Sequence, residues 1–451
     1  MNFSHHHLEK ELLHLKESAT RENIWSHKVN VWNAFVDSKL SDITDDDCAI
    51  FPRLLPESYL KVIEDTAFKI CSFGMKLLSS PTAEVKAIVP PGPIRDFLIN
   101  DLEILKHRPG RIIGSLRLDM AIVGPPDRKN PPKLLELNEI GFDGLSRSSF
   151  IQKTLLSLMP DLKKRVLALD TTAAELKNMR RLGTRLVRFQ EDNYNWDEEY
   201  LAHYAQSQNF DLRLISPAAF RCSVDHQDFP LMTKEKIFFK NRRMVTEKHF
   251  HPDAHQMSFA LSLEDYQKSR AFFRQLVMSK TTHYGPFLTG LIASKMLLVL
   301  LNDSALQKKF LGARGHLSDS ILPAYKLADL LSEVQKNSEN YVLKHVDGFG
   351  GEQVYLGAEL KRQLKRIHPA QYSDWIVQQK TFLNLLQVNG INSRPRKVIS
   401  DLGVFVQYDW SNGRFQHFKV GGLITRATNR SYKVNVSGGG IQVPVMFIRG
   451  Q

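Results

Sequence analysis

Between Tyr341 and Gly357 the chain reads YVLKHVDGFGGEQVYLG, a short apolar run that delivers Lys344 and then breaks into a loop carrying Gly348, Gly350 and Gly351. A polyphosphate needs its charge neutralised and backbone N–H groups brought close, and a lysine at a strand end followed by glycines supplies both. Gln353 to Leu356 has the composition of a returning strand. The segment is therefore expected to form an antiparallel hairpin whose loop folds down over phosphates. The lysine precedes the glycines and no GK[ST] opens a helix, which excludes a Walker-type loop. An ordinary hairpin with a glycine turn has the same pattern, so the reading depends on partners elsewhere in the chain.

Residues 111 to 140, RIIGSLRLDMAIVGPPDRKNPPKLLELNEI, supply candidates. Two strand-like runs flank a proline-rich turn, which predicts a second antiparallel hairpin. Side chains alternate along a strand, so Arg117 and Asp119 share a face, as do Glu136 and Asn138. With the turn centred between Asp127 and Arg128, Asp119 lies across from Glu136 and Arg117 across from Asn138. Opposed carboxylates repel by up to ~1 kcal/mol in an ordinary sheet. A hard divalent cation would offset that, because carboxylate and amide oxygens at this spacing are what Mg²⁺ takes when it also binds nucleotide phosphates. Arg117 would hold an anionic reacting group without competing for the metal. A solvated face with a cross-strand salt bridge is the alternative, and a one-residue slip would separate the pairs. The loop that follows carries Ser146 and Arg147, which either receive a small polar substrate or cap the next helix.

At 451 residues the chain is long enough for two or three lobes. No apolar run is long enough to span a bilayer, so a cytoplasmic protein without membrane contact is expected. The three cysteines have no metal or redox spacing. The net charge of +13 invites a nucleic-acid reading, but the basic residues are scattered and recognition signatures are missing. A positive field drawing in an anion such as ATP explains the same excess.

Residues 1–110 read as helical. RLVRF, WDEEYLAHYAQSQ and DLRLIS form a strand–helix–strand pattern that implies parallel strands. LIASKMLLVLL, residues 291–301, reads as one buried helix with Lys295 either snorkelling outward or meeting phosphate. In WIVQQKTFL the polar end, Gln378, Gln379 and Lys380, is placed to offer backbone groups to an adenine edge. Arg426, in GGLITR, is suited to steadying a transferring phosphoryl group or is simply a sheet-face arginine.

Taken together, the motifs resemble the circularly permuted ATP-grasp carboxylate-amine ligases, the branch that includes glutathionylspermidine synthetase and eukaryotic glutathione synthetase. Arg117-x-Asp119 followed by Glu136-x-Asn138 is similar to that branch's substrate arginine and magnesium ligands. Ala293-Ser294-Lys295 resembles the first nucleotide lysine, Lys344 with GFGG the second lysine and flap, and Val377-Gln378-Gln379 the adenine hinge. The Glu-x-Asn pair comes about 200 residues before the glycine loop, the permuted order. Lys344 is followed by His345 where the family often has proline, and no cysteine amidase domain is evident.

The resemblance covers roughly residues 111–451 and implies an α+β fold. It would comprise a helical region (1–110), a permuted ATP-grasp segment with the metal and substrate hairpin (111–180), a Rossmann-like βαβ lobe (181–285) and a nucleotide lobe (286–451). It implies ligation of a carboxylate to an amine with ATP and Mg²⁺, two ions being expected. Asp119, Glu136 and Asn138 would be the metal ligands, Arg117 and Arg426 the catalytic arginines, and Lys295 and Lys344 the phosphate lysines. Small-molecule or peptide substrates are the expected partners, with a homodimer left open. A catalytically silent ATP-binding regulator or scaffold of the same fold is the alternative.

Overall fold

The computed structural model describes residues 52–88, 111–138, 144–158, 160–189, 196–215, 237–240, 243–246, 254–257, 282–285, 290–313, 315–346, 353–388, 396–428, 434 and 440–450. Two strands explain most of the architecture. In β2 (Ile112–Ala121) and β17 (Leu402–Ser411), alternation sends Leu116, Leu118 and Met120, with Val404, Val406 and Tyr408, into one apolar core. The opposite face of β2 carries Ser115, Arg117 and Asp119, all buried. Period-two patterning thus separates a hydrophobic face from a polar one on the same strands.

The apolar face is covered by α1 (Glu57–Leu78), whose Tyr59, Ile63, Ala67, Ile70 and Met75 are buried at helical spacing. Glu57 in its first turn and Lys76 in its last complement the helix dipole. At Gly74 a Cβ would stand 3.1 Å from Ile292, so the glycine lets α7 (Gly290–Ala293) pack closely.

Among the described residues the main sheet has thirteen strands. Its path runs β1 (Arg53–Pro56), β19 (Ile441–Ile448), β18 (Arg414–Thr428), β17, β2, β10 (Thr282–Tyr284), β9 (Ala254–Met257), β5 (Arg185–Phe189) and β6 (Asp211–Ile215). β3 (Lys133–Asn138) pairs with β2, β4 (Val166–Ala168) with β19, and β16 (Arg396–Ser400) with both β15 (Leu385–Val388) and β18. One edge of β2 runs along β17. Its other edge is divided between the parallel strand β10 at Ile113 and the antiparallel strand β3 from Arg117 to Ala121. β5 and β6 are parallel and flank α6 (Trp196–Ser207), as the strand–helix–strand pattern requires.

On the polar face lie α3 (Leu145–Leu158) and α5 (Thr171–Met179), with the short helix α4 (Leu162–Arg165) between them. At Gly422 an added Cβ would collide with the Thr171 side chain, so only glycine lets the start of α5 rest on β18. The second sheet has four strands, β11 (Ala324–Lys326), β14 (Trp375–Gln379), β12 (Tyr341–His345) and β13 (Val354–Leu356), in that order. It carries its own core of Leu327, Leu343, Leu360 and Val377 under α10 (Leu327–Lys336) and α11 (Gly357–Leu364). β7 (Ile237–Lys240) and β8 (Arg243–Thr246) form a separate antiparallel pair.

Two expectations are corrected. The amino-terminal region is not purely helical: Arg53–Pro56 is a strand paired parallel with Val445–Ile448. The single helix expected over residues 291–301 is broken into α7 and α8 (Met296–Leu301). The break falls at Ser294–Lys295, where the Ser294 hydroxyl accepts from Met296 N–H at 3.3 Å and the Lys295 N–H donates to Val346 O at 3.2 Å. A bond across to the second sheet replaces the helical one. No described helix is long and apolar enough to cross a membrane.

Candidate active site

The β2–β3 hairpin has the register that its alternation predicts, with Arg117 opposite Asn138 and Asp119 opposite Glu136, and an irregularity follows immediately after Asp119. The β12–β13 hairpin forms as well, with Lys344 across from Val354 on one side and from Ile376 of β14 on the other. The two hairpins meet. Lys344 Nζ donates to the Leu135 carbonyl of β3 at 3.0 Å and to Gln378 Oε1 at 2.7 Å, while Gln378 Nε2 donates to Leu134 O at 3.3 Å.

Between them lies a cavity of about 530 Å³ whose polar wall includes Arg117, Asp119, Glu136, Asn138, Lys344 and Arg426. Leu322, Val342, Leu356, Phe382 and Ile399 add apolar surface to its lining. A lining that mixes charged and apolar side chains suits a ligand with an anionic part and a weakly polar part.

The charges are tightly paired. Asp119 is fully buried, and it accepts from Arg117 Nε at 2.7 Å, Arg117 Nη2 at 3.1 Å, Asn138 Nδ2 at 2.8 Å and Arg426 Nη2 at 2.7 Å. Glu136 is half-buried. Burial pushes its carboxyl up, yet Lys295, Lys344 and Arg426 outweigh that and bring it down to about 2. For Lys344, burial dominates and draws the ammonium down to about 8, with Lys295 adding to it and Glu136 and Asp119 opposing. Burial also works against the Arg426 charge, but Asp119 and Asp401 more than restore it and hold the guanidinium above its usual value. Gly403 gives Arg117 room, since a Cβ there would lie 3.2 Å from Arg117 Cδ.

The donor set offers a divalent cation few protein ligands. Among the described residues no group of three or more His, Cys, Asp or Glu is placed to hold a metal. Asp119 and Glu136, two facing carboxylates with the Asn138 amide beside them, instead fit an ion that takes its remaining ligands from a nucleotide's phosphates. Such an ion would compete with Arg117, Asn138 and Arg426 for Asp119.

The remaining predicted residues divide. Lys295 is buried at the α7–α8 break and acts electrostatically on both Glu136 and Lys344, but it does not line the cavity. Gln378, Gln379 and Lys380 line it. The backbone N–H groups of Gln379 and Lys380 already donate to Pro323 O and Asn340 O, at 2.8 and 2.7 Å. Thr381, Phe382 and Leu383, which follow, also line the cavity. Gly348, Gly350 and Gly351 lie outside the described residues.

Ser146 and Arg147 do not line the cavity; they lie in the first turn of α3. Asp197, at the start of α6, accepts from the backbone N–H groups of Gly144, Ser146 and Arg147 at 2.7–2.8 Å. The Ser146 hydroxyl donates to Asp197 O at 2.7 Å. These bonds tie the first turn of α3 to the start of α6.

Asp401 was missed. It lines the cavity, is buried, and accepts from Arg426 Nε at 3.0 Å. Its sequence context, an acid between two strand-like runs, resembles an ordinary turn.

No known protein family's sequence profile matches the chain, and no curated protein does. Among solved structures, the chain is similar to a glutathione synthetase-like effector from Globodera pallida. The TM-score is 0.63 at 11% identity, and the match covers 89% of this chain and 90% of that one. The fold is therefore α+β and glutathione synthetase-like.

Proposed function

We propose that the protein is an ATP- and Mg²⁺-dependent ligase of the permuted ATP-grasp type, joining a carboxylate to an amine. The observation that carries the reading is that two segments about 200 residues apart, the acidic hairpin and the lysine hairpin, line one cavity and touch through Lys344 and Leu135. Asp119, Glu136 and Asn138 would hold the metal, which supplies charge neutralisation between the nucleotide's phosphates. Lys344, with Lys295 behind it, offers positive charge to the phosphates.

In this reaction a substrate carboxylate oxygen bonds to the γ-phosphorus as the bond to ADP breaks. The amine nitrogen then attacks the acyl carbon, phosphate leaves, and the nitrogen gives up a proton. Arg117 and Arg426 balance charge on the transferring group, so the work is positioning and electrostatics. The fold supports the reading through its likeness to a glutathione synthetase-like protein.

The test follows phosphate release from ATP and Mg²⁺ with pools of amino acids, short peptides and polyamines. Release that requires both an acid and an amine is expected, and Glu136→Ala should abolish it. Mg·ATP binding with no ADP formed across the whole screen would favour a silent nucleotide-binding regulator or scaffold instead. Retained ligation in Glu136→Ala would remove the metal assignment.

A further inference from the structure

The structure assigns to Asp401 a positioning role: it holds Arg426 in the cavity independently of Asp119, and the amino-terminal strand backs it through Arg53. This assignment rests on the ligase reading and extends the site to residues that no motif marks.

Arg426 is shared between two carboxylates. Its Nη2 donates to Asp119 Oδ2 at 2.7 Å and also to Asp401 Oδ2, while its Nε donates to Asp401 Oδ2 at 3.0 Å. The Arg426 backbone N–H donates to Asp401 Oδ1 at 3.1 Å, and the Asp401 N–H returns a bond to Arg426 O at 3.0 Å. Asp401 thus grips both the main chain and the guanidinium of the same residue, which fixes the side chain's direction as well as its charge.

Asp119 has other claims on it. It already serves Arg117 and Asn138, and it faces Glu136. A cation held by Asp119 and Glu136 would compete with Arg426 for Asp119, and Asp401 is the other carboxylate that Arg426 contacts. Behind it, Arg53 Nη1 donates to Asp401 O at 3.2 Å, Ser400 Oγ at 3.3 Å and Thr425 Oγ1 at 3.5 Å. Arg53 is 6% exposed and Asp401 2%. A buried guanidinium is retained only where paired, and the Asp401 charge opposes the effect of burial on Arg53. The strand β1 therefore completes the site from behind.

Positioning and bare electrostatics predict opposite signs. Deleting a carboxylate beside a polyphosphate raises the local positive potential and tightens anion binding. Deleting the anchor lets Arg426 fall back onto Asp119, which blocks both phosphate and metal and weakens binding. The experiment measures the dissociation constant of a fluorescent ATP analogue with Mg²⁺ for the full chain. It compares wild type, Asp401→Asn, Arg426→Met and the double variant.

Asp401→Asn is expected to weaken binding about 10-fold, the scale of one charge-assisted hydrogen bond. In the Arg426→Met background it should not weaken binding at all, because coupled residues are not additive. Arg53→Met should weaken binding several-fold in the same direction, again only when Arg426 is present, and it carries the test if Asp401→Asn does not fold. Binding by Asp401→Asn as tight as wild type or tighter, or an equal loss in both backgrounds, overturns the assignment alone. A wild-type protein that binds no analogue overturns the ligase reading and the assignment with it.

Discussion

If Lys344 serves the proposed nucleotide site, its burial carries a stability cost that is measurable without nucleotide. Burial first, and then Lys295, lower its ammonium from 10.5 to about 8 in the folded protein. The unfolded chain keeps that proton up to about pH 10.4. Between about pH 8 and 10.5 the unfolded state therefore binds more protons than the folded one, so this group's contribution stabilises the fold as pH rises. The gap is worth about 3 kcal/mol at ~1.4 kcal/mol per pH unit, and below pH 8 the full penalty is present. Lys344→Met removes it at every pH. The substitution also loses the bonds to Leu135 O and Gln378 Oε1, an offset of about 1–2 kcal/mol that does not vary with pH in this range.

The assay is urea unfolding of both proteins at intervals from pH 7 to 10.5. The wild-type minus variant free energy should stay flat below pH 8 and then climb by ~2–3 kcal/mol. Titrating groups distant from Lys344 are common to both proteins and cancel in the difference. Parallel curves across the whole range would refute the claim that Lys344 is held charged at a cost. The variant should also lose affinity for Mg·ATP even where it is the more stable protein, a trade expected where a site stores unfavourable charge for its ligand.

Three further outcomes follow from the same contacts. Glu136 is lowered from 4.5 to about 2, so its stabilising contribution is complete above pH 4.5 and is lost as pH falls toward 2. Glu136→Gln should cost about 3 kcal/mol at pH 7 in urea unfolding and flatten that acid limb. At Gly403 a Cβ would sit 2.9 Å from Ile424 Cγ2 and 3.2 Å from Arg117 Cδ. Gly403→Ala should therefore lower stability by about 1–3 kcal/mol by thermal melt and weaken nucleotide binding through Arg117. Asp197→Ala removes the acceptor for three backbone N–H groups at the start of α3. It should cost about 2 kcal/mol while leaving nucleotide affinity within a factor of two, where a substrate role for Ser146 and Arg147 would predict a selective loss of activity instead.

The two hairpins were legible because each is a local object. The turn chemistry of Pro125-Pro126-Asp127 and the period of two fix which side chains of β2 and β3 share a face, and Asp119 stands opposite Glu136 as those rules require. What was not legible depends on distant partners. Arg53-Leu54-Leu55-Pro56 reads as the approach to a helix and becomes a strand only because β19 presents a parallel edge to it. Nothing in Leu291–Leu301 announces the break at Lys295, since the bond that stabilises it comes from Val346. Asp401 shows the same limit: its role is set by Arg426 and Arg53, neither of which is its neighbour in sequence.

β2 is held along its whole length by β17 on one edge, and on the other by β10 near its beginning and β3 near its end. Ser115, two residues from Arg117 on the same face, bonds to Glu175 of α5 at 2.9 Å. A strand fastened this way behaves as a rail common to two ladders. Arg117 in the cavity wall and Ile113 beside the parallel strands thus belong to one continuous backbone, shared by both halves of the sheet.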